Sequence, residues 1–407
     1  MTIDLNLRQN FNLELSSNNL KRKNEQINGY RAIAQEYYND KKFFKCIKYL
    51  SEALKVDVQN SKTLYQLGYV YYQLGEFPIA IDYFKHSLKS NIDNVDALNF
   101  WSLILIQQGK WFNAIENNYL NINLKKLTFN KHSLFYLMMI IHNILVNRNN
   151  LNTQVFKNIV KQNDGNLQTE TWKLPKFVEA WLVFLNKLNN QIIKSNQLNA
   201  SKHPKIIYHV GDSHCLSFVN QNIKLNKNSY KILPKLINGA KAWHLGNREI
   251  NLSKKLFINH LKNIEEGSII FLSFGEIDCR INEGIINVIL KNNSQQNINK
   301  IIYNTVSSYV NFCYDNIKKR NLFCYILGIP APMIIKDDER FDLLKKIIKK
   351  FNFHLKNICK EKQIKFIDTF RYTRNNKDVS NKKYMLDNCH LNFKFIKVIE
   401  KSINYNH

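Results

Sequence analysis

Ser213 stands in "KIIYHVGDSHC", just past an apolar run that stops at Gly211. Far downstream, "LDNCHLN" carries Asp387 and His390, three residues apart. A serine hydroxyl is a poor nucleophile until an imidazole takes its proton. The imidazole in turn needs a carboxylate to fix its tautomer and to stabilise its cation. The spacing of Asp387 and His390 lets one turn of chain supply both base and orienter. Ser213, His390 and Asp387 are therefore candidates for acyl transfer. Capping of the following helix by Ser213 is the competing structural use of the same residue.

A second polar group follows another apolar run. "SIIFLSFGEIDCR" places Glu276, Asp278 and Arg280 directly after residues 268–274. Asp278 is read either as a tie for its own loop or as a lining residue of the site. Arg280 is read as a site cation or as an ion-pair partner on the surface. Glu276 is expected to face solvent, and His209, inside the first apolar run, to be packed. Cys215, Cys279 and Cys389 each neighbour one of these motif residues. With His214 or His390 they have the donor types of a Zn²⁺ site. Small buried thiols packed beneath the site are the reading adopted, so no metal and no cofactor are expected. Cys215 as nucleophile remains open, and His214 has no settled role beyond lining the site.

Two kinds of architecture must position these residues. Residues 27–60 and 61–94 repeat with a period of 34. In the second copy Leu64, Leu67, Gly68 and Tyr71 share one helix face, and Ala80, Phe84 and Ser87 share another. Tyr30, Ile33, Ala34, Tyr37, Cys46, Leu50 and Ala53 answer them in the first. A small residue at Gly68 or Ala34 lets the paired helix approach, and large neighbours fill the groove. The pattern resembles the tetratricopeptide repeat. A third, degenerate copy begins at Val95, with Leu98, Trp101, Ser102, Leu105 and Ala114 in place and Asn118 where a large apolar residue is expected. Helical spacing continues through residues 129–198, with a polar loop around Gly165 and Pro175. Past about residue 200 the texture changes. Apolar runs at 205–210, 268–274, 322–328 and 364–368 alternate with helical patterns near 249–264, 298–320, 339–361 and 392–404. Apolar strands separated by helices indicate a parallel sheet covered on both faces. On such sheets ligands sit beyond the carboxyl ends of the strands.

The fold class expected is multidomain, α followed by α/β. Residues 1–26 form an N-terminal extension and 27–198 a tetratricopeptide-like helical domain. Residues 204–405 form a three-layer α/β/α domain with a mainly parallel sheet. The order of motifs over this last span resembles the SGNH, or GDSL, hydrolase superfamily. The resemblance implies Ser213 after Gly211-Asp212 as nucleophile, and Asp387 and His390 as orienter and base before the last helix. It implies Gly239, in "LINGAKAW", as a backbone oxyanion donor. The family's third motif is Gly-x-Asn-Asp, whose Asn also donates to the oxyanion. Here it reads Gly275-Glu276-Ile277-Asp278, and Ile277 has no donor. Losing one such donor costs on the order of 100- to 1000-fold in kcat. Three readings follow: Arg280 or His214 replaces the donor, two backbone N–H groups suffice, or catalysis is lost and the domain binds a ligand. The resemblance implies an esterase or acyltransferase acting on acetyl or longer acyl esters of sugars and lipids; among these an O-acetylated glycan is the substrate class expected. The alternative is a non-catalytic adaptor in polysaccharide or cell-surface assembly. The repeats are expected to take a protein or peptide partner in a concave groove.

Bulk properties set bounds. The 407 residues carry 59 Lys+Arg against 32 Asp+Glu, a formal charge of +27. Lys is spread along an Asn/Lys/Ile-rich chain without a reading module, which argues against a nucleic-acid partner. The most apolar long stretch, residues 132–146, is too short to span a bilayer, and the first 20 residues lack a secretory pattern. Seven cysteines without framework spacing suit free thiols in a reducing compartment, with the cytoplasm expected.

Overall fold

The computed structural model describes residues 2–108, 129–145, 152, 176–195, 204–291, 297–335 and 338–404. The chain divides into two compact units, Met1–Met138 and Met139–His407. The division falls upstream of the linker read near residue 200, so the helix of residues 176–195 groups with the second unit.

The first unit is helical: α1 (Thr2–Asn39), α2 (Phe43–Val56), α3 (Ser61–Gln73), α4 (Phe77–Ser90) and α5 (Val95–Gln108). Helix α1 runs back through the segment read as an extension. The pairs α1–α2 and α3–α4 are the two repeats. Ala34, Cys46, Leu50, Leu67 and Val70 form one buried cluster. A Cβ added at Gly68 would lie 2.7 Å from the Phe84 ring, so only glycine permits this approach. Ile33 departs from the pattern and is exposed. Asn60 caps α3 by accepting from the Thr63 N–H (3.1 Å). Ser61, Ser87 and Asn94 bind one another at 2.9–3.0 Å, locking α3, α4 and the start of α5. Ala114 and Asn118 of the third copy, and the loop around Gly165 and Pro175, lie outside the described residues.

Helices α6 (Phe129–Leu145) and α7 (Lys176–Ser195) precede a six-stranded sheet. Its strands are β1 (Lys205–Gly211), β2 (Asn222–Leu225), β3 (Asn228–Leu236), β4 (Ile269–Ser273), β5 (Phe323–Leu327) and β6 (Lys365–Ile367), in the order β2-β3-β1-β4-β5-β6. All neighbours are parallel except β2 and β3. That hairpin turns through Asn226 and Lys227, both at positive φ, the turn type whose twist matches paired strands. Between and after the strands lie α8 (Ala242–Gly246), α9 (Leu252–Lys262), α10 (Glu276–Cys279), α11 (Ile285–Lys291), α12 (Ile298–Lys318), α13 (Phe341–Glu361), α14 (Thr369–Thr373) and α15 (Ile396–Asn404).

Side chains alternate across a strand, so each strand feeds two cores. Ile207, Ile232 and Phe271 pack with Phe218, Phe395 and Ile399 on one face. On the other, Phe274 meets Tyr309 of α12 edge-on, and Gly275 abuts Phe351 of α13. The molecule's second unit is thus a three-layer α/β/α fold with a mainly parallel sheet.

Register fixes the site. Gly211 pairs with Leu236 of β3 and with Ser273 of β4. Three strands therefore end level with one another, and the residues just beyond them (Ser213, Gly239 and Glu276) emerge along one edge.

Candidate active site

Strand β1 delivers Asp212 and Ser213 into a short 3₁₀ turn, Ser213–Phe218. The cap of that turn is Asp212, whose Oδ1 accepts from the His214 N–H (2.9 Å). Ser213 is therefore not the cap, and its hydroxyl lies 2.9 Å from His390 Nε2 across 177 residues of sequence. His390 Nδ1 lies 2.8 Å from Asp387 Oδ2. Asp387 Oδ1 accepts from the backbone N–H groups of Cys389 (2.9 Å) and His390 (2.7 Å). One carboxylate thus folds its own loop and holds the imidazole. A bond from Leu386 N–H to His390 O (2.8 Å) closes the loop before α15.

The electrostatics are coupled. Burial lowers the His390 pKa, but the electrostatic pull of Cys389 and the bonds to Asp387 and Cys389 outweigh it and raise it to about 9. Cys389 Sγ sits 3.4 Å from His390 Nδ1, and its pKa falls because His390 stabilises the thiolate against burial. Burial likewise pushes Asp387 up, and His390 with the two N–H groups draws it down further, to well below the carboxylate range.

His214 forms a second histidine–carboxylate pair. Its Nδ1 lies 2.8 Å from Asp212 Oδ1, and its Nε2 lies 3.2 Å from Cys389 O. A carboxylate and a carbonyl both accept, so both ring nitrogens donate and the ring is an imidazolium. Burial opposes that charge, and Asp212 more than restores it, so the His214 pKa stands well above 6.5. Its ring lies 4.6 Å from that of His390. His214 thereby bridges the serine turn to the Asp387–His390 loop.

Residues of the third motif have other duties. Gly275, at φ +110°, turns the chain sharply after β4. Asp278 is buried, and its carboxylate accepts from Ala242 N–H (2.7 Å) and Trp243 N–H (3.0 Å), capping α8. Burial pushes its pKa up to about 6. Arg280 grips Glu276 through Nε (2.9 Å) and Nη2 (2.7 Å). Glu276 turns inward rather than to solvent, 4.0 Å from His214 Nε2. Ile277 is buried and apolar. Gly239 sits at φ +68°. Among the described residues, the backbone N–H groups of Ser213 and Gly239 meet no acceptor, which leaves both available to an oxyanion. His209 is buried and bonds Ser273 Oγ (2.9 Å), and burial lowers its pKa to about 3.

All seven cysteines are free. Cys215 and Cys279 are wholly buried, and burial holds their thiols protonated. His214, Cys389 and His390 offer donor atoms within 4.8 Å of one another, a set able to hold a soft divalent cation. Cys215 and Cys279 do not join that set among the described residues. Binding there would take His390 from Asp387 or Ser213.

Phe184 was not legible as a site residue. Its ring stacks on that of His390, with centroids 3.8 Å apart and planes 20° apart. It comes from α7, in a stretch whose only sequence signal is helical spacing, and no strand-end rule points to it. Ser213 and His390 are only 8% and 6% exposed. Just past the 3₁₀ turn, Asn220 Nδ2 donates to Ile144 O of α6 (2.8 Å) and Gln221 Nε2 to Ser195 Oγ of α7 (3.0 Å).

No family model and no curated protein matches this chain. Solved structures similar to it include a GDSL-like lipase from Bacteroides thetaiotaomicron, at 12% identity and TM-score 0.36, covering 53% of this chain and 94% of that one. A lipase from a goat rumen metagenome is similar at 14% identity and TM-score 0.33, over 49% of this chain and 95% of that one. A Thermobaculum terrenum O-GlcNAc transferase mutant is similar at 9% identity and TM-score 0.27, over 78% of this chain and 56% of that one.

Proposed function

We propose that the chain is an SGNH-type serine esterase or acyltransferase. The reading is carried by one observation: the Ser213–His390–Asp387 relay, with bonds of 2.9 and 2.8 Å between residues far apart in sequence. Ser213 Oγ attacks the acyl carbonyl carbon while His390 Nε2 takes its proton. The oxyanion is held by the N–H groups of Ser213 and Gly239. Collapse breaks the ester C–O bond, and His390 returns the proton to the departing alcohol. Water, or an acceptor hydroxyl, then attacks the acyl-serine with His390 again as base. Asp387 orients His390 and stabilises its cation; His214 positions the loop that carries both. Arg280 is held by Glu276, so the oxyanion hole relies on two backbone donors. That arrangement supports a slow enzyme, about 100- to 1000-fold below one with a third donor. An O-acetylated glycan is the substrate class proposed.

A fluorophosphonate probe tests this. It is expected to label Ser213 in the wild type, and labelling and aryl-acetate hydrolysis are expected to vanish in Ser213→Ala. Absence of labelling in wild-type protein at pH 9 sinks the enzyme and leaves the second reading, a ligand-binding adaptor. That second reading is favoured by Ile277 in the donor position. The helical repeats are proposed to hold a peptide segment of a partner, and the seven free thiols suit a reducing compartment such as the cytoplasm. No helix among the described residues is long and apolar enough to cross a membrane.

A further inference from the structure

A cavity of about 560 Å³ opens where α8, α11 and α12 meet, within the range of small-molecule sites. Its wall includes Trp243, which is 54% exposed although it is the largest apolar group there. Across it stand Asn304 and Ser308 of α12, whose side chains meet no protein partner among the described residues. Val288 adds a half-exposed apolar edge. The charges lining the cavity are already matched. Lys241 Nζ lies 2.9 Å from Glu283, and Asp278 is occupied by the N–H groups of Ala242 and Trp243. An anion or cation would find no unpaired countercharge, and a wholly apolar ligand would bury Asn304 and Ser308 unsatisfied. A neutral ring with apolar C–H faces and hydroxyls at its rim fits both demands. The indole covers the face, and the amide and hydroxyl take the rim.

We propose that this cavity is a pyranose-binding subsite, with Trp243 as its platform. The two loops that frame it are those of the candidate active site. Gly239 precedes Lys241 and Trp243 on one, and on the other Asp278, which holds the Trp243 backbone, follows Glu276 beside His214. The catalytic link rests on the esterase reading above; sugar binding itself does not. The subsite would hold the glycosyl part of an ester while its acyl carbon meets Ser213.

Saturation-transfer NMR on the full chain, wild type and Ser213→Ala, tests the binding. The probes are the methyl pyranosides of glucose, galactose, mannose, xylose and N-acetylglucosamine at millimolar concentration. At least one is expected to receive saturation from both proteins, to lose it in Trp243→Ala and to keep it in Trp243→Phe. No transfer to any probe, or transfer that survives Trp243→Ala, overturns the subsite. In turnover, Trp243→Ala is expected to raise KM for the acetylated form of the binding pyranoside about 10-fold relative to p-nitrophenyl acetate, with the kcat ratio little changed. An equal change for both esters overturns the link to catalysis. Sugar binding without phosphonate labelling would support the subsite and sink only the serine reading.

Discussion

At the residue scale, the esterase proposed above makes the pair Cys389–His390 the control on when Ser213 acts. His390 must be neutral to accept the serine proton, and its pKa is raised to about 9, so most of it is protonated at neutral pH. The acid limb of kcat/KM for an aryl acetate is therefore expected near pH 9, with the rate rising about tenfold per pH unit below it. Cys389→Ala removes the sulfur whose charge and bond raise His390, and leaves Asp387 and burial in opposition. The limb is then expected to move down toward the ordinary histidine value of about 6.5. A pH–rate profile measures both, and a limb that stays put in Cys389→Ala removes the sulfur from the account. Ile277 gives the second prediction. Ile277→Asn restores a side-chain amide to the third motif, and kcat is expected to rise up to about 100-fold with KM little changed. Single-turnover acylation measures this; no gain means that position 277 does not face the oxyanion.

At the element scale, helix α7 sets Phe184 against the imidazole of the proposed relay. Phe184 stacks on His390 over a serine that is itself almost enclosed. Small acyl groups are therefore expected to be preferred. Phe184→Ala is expected to raise the ratio of kcat/KM for octanoyl over acetyl p-nitrophenyl esters about 10-fold or more, since each buried methylene counts for about 1 kcal/mol or more. An unchanged ratio would show that the acyl chain leaves by another path. The elements also show how far sequence carries. Apolar runs at 205–210, 268–274, 322–328 and 364–368 are strands β1, β4, β5 and β6, because fully buried parallel strands need no alternation. Strands β2 and β3 have no such run: Lys224, Lys231 and Lys235 interrupt them, and Pro234 argues against a strand. Asn226 and Lys227 were the available turn signal, but Asn-Lys lacks the glycine that usually marks it. The meeting of Ser213 with His390 was inferable from motif order, strand-end position and the family resemblance together. That of His390 with Phe184 was not, since helical periodicity says which face is apolar and not what that face covers. Asp278 was ambiguous for a related reason. A carboxylate that caps a distant helix and one that lines a site look the same until α8 is placed against it.

At the scale of the whole molecule, two compact units with separate cores predict separate transitions. The helical unit depends on close approach at Gly68, where an added Cβ meets Phe84 at 2.7 Å and the Ala80 carbonyl at 3.2 Å. The Phe84 ring is wholly buried, and it or the helix carrying it must shift to admit the added atoms. Gly68→Leu therefore forces α3 and α4 apart. Overpacking of this kind costs about 1–3 kcal/mol or more, against which the helix gains about 1 kcal/mol from losing glycine. Calorimetry of the full chain is expected to show two unfolding transitions in the wild type. One of them is expected to fall by several degrees in Gly68→Leu, while the other stays within a degree. Phosphonate labelling followed across the same temperatures assigns the second, because the proposed reaction at Ser213 requires β1, the 3₁₀ turn and the Asp387–His390 loop to hold together. A single transition that moves as one with the labelling would show that the repeats and the sheet fold as one cooperative body. In that case the repeats would be a brace for the sheet domain and not an independent partner-binding surface.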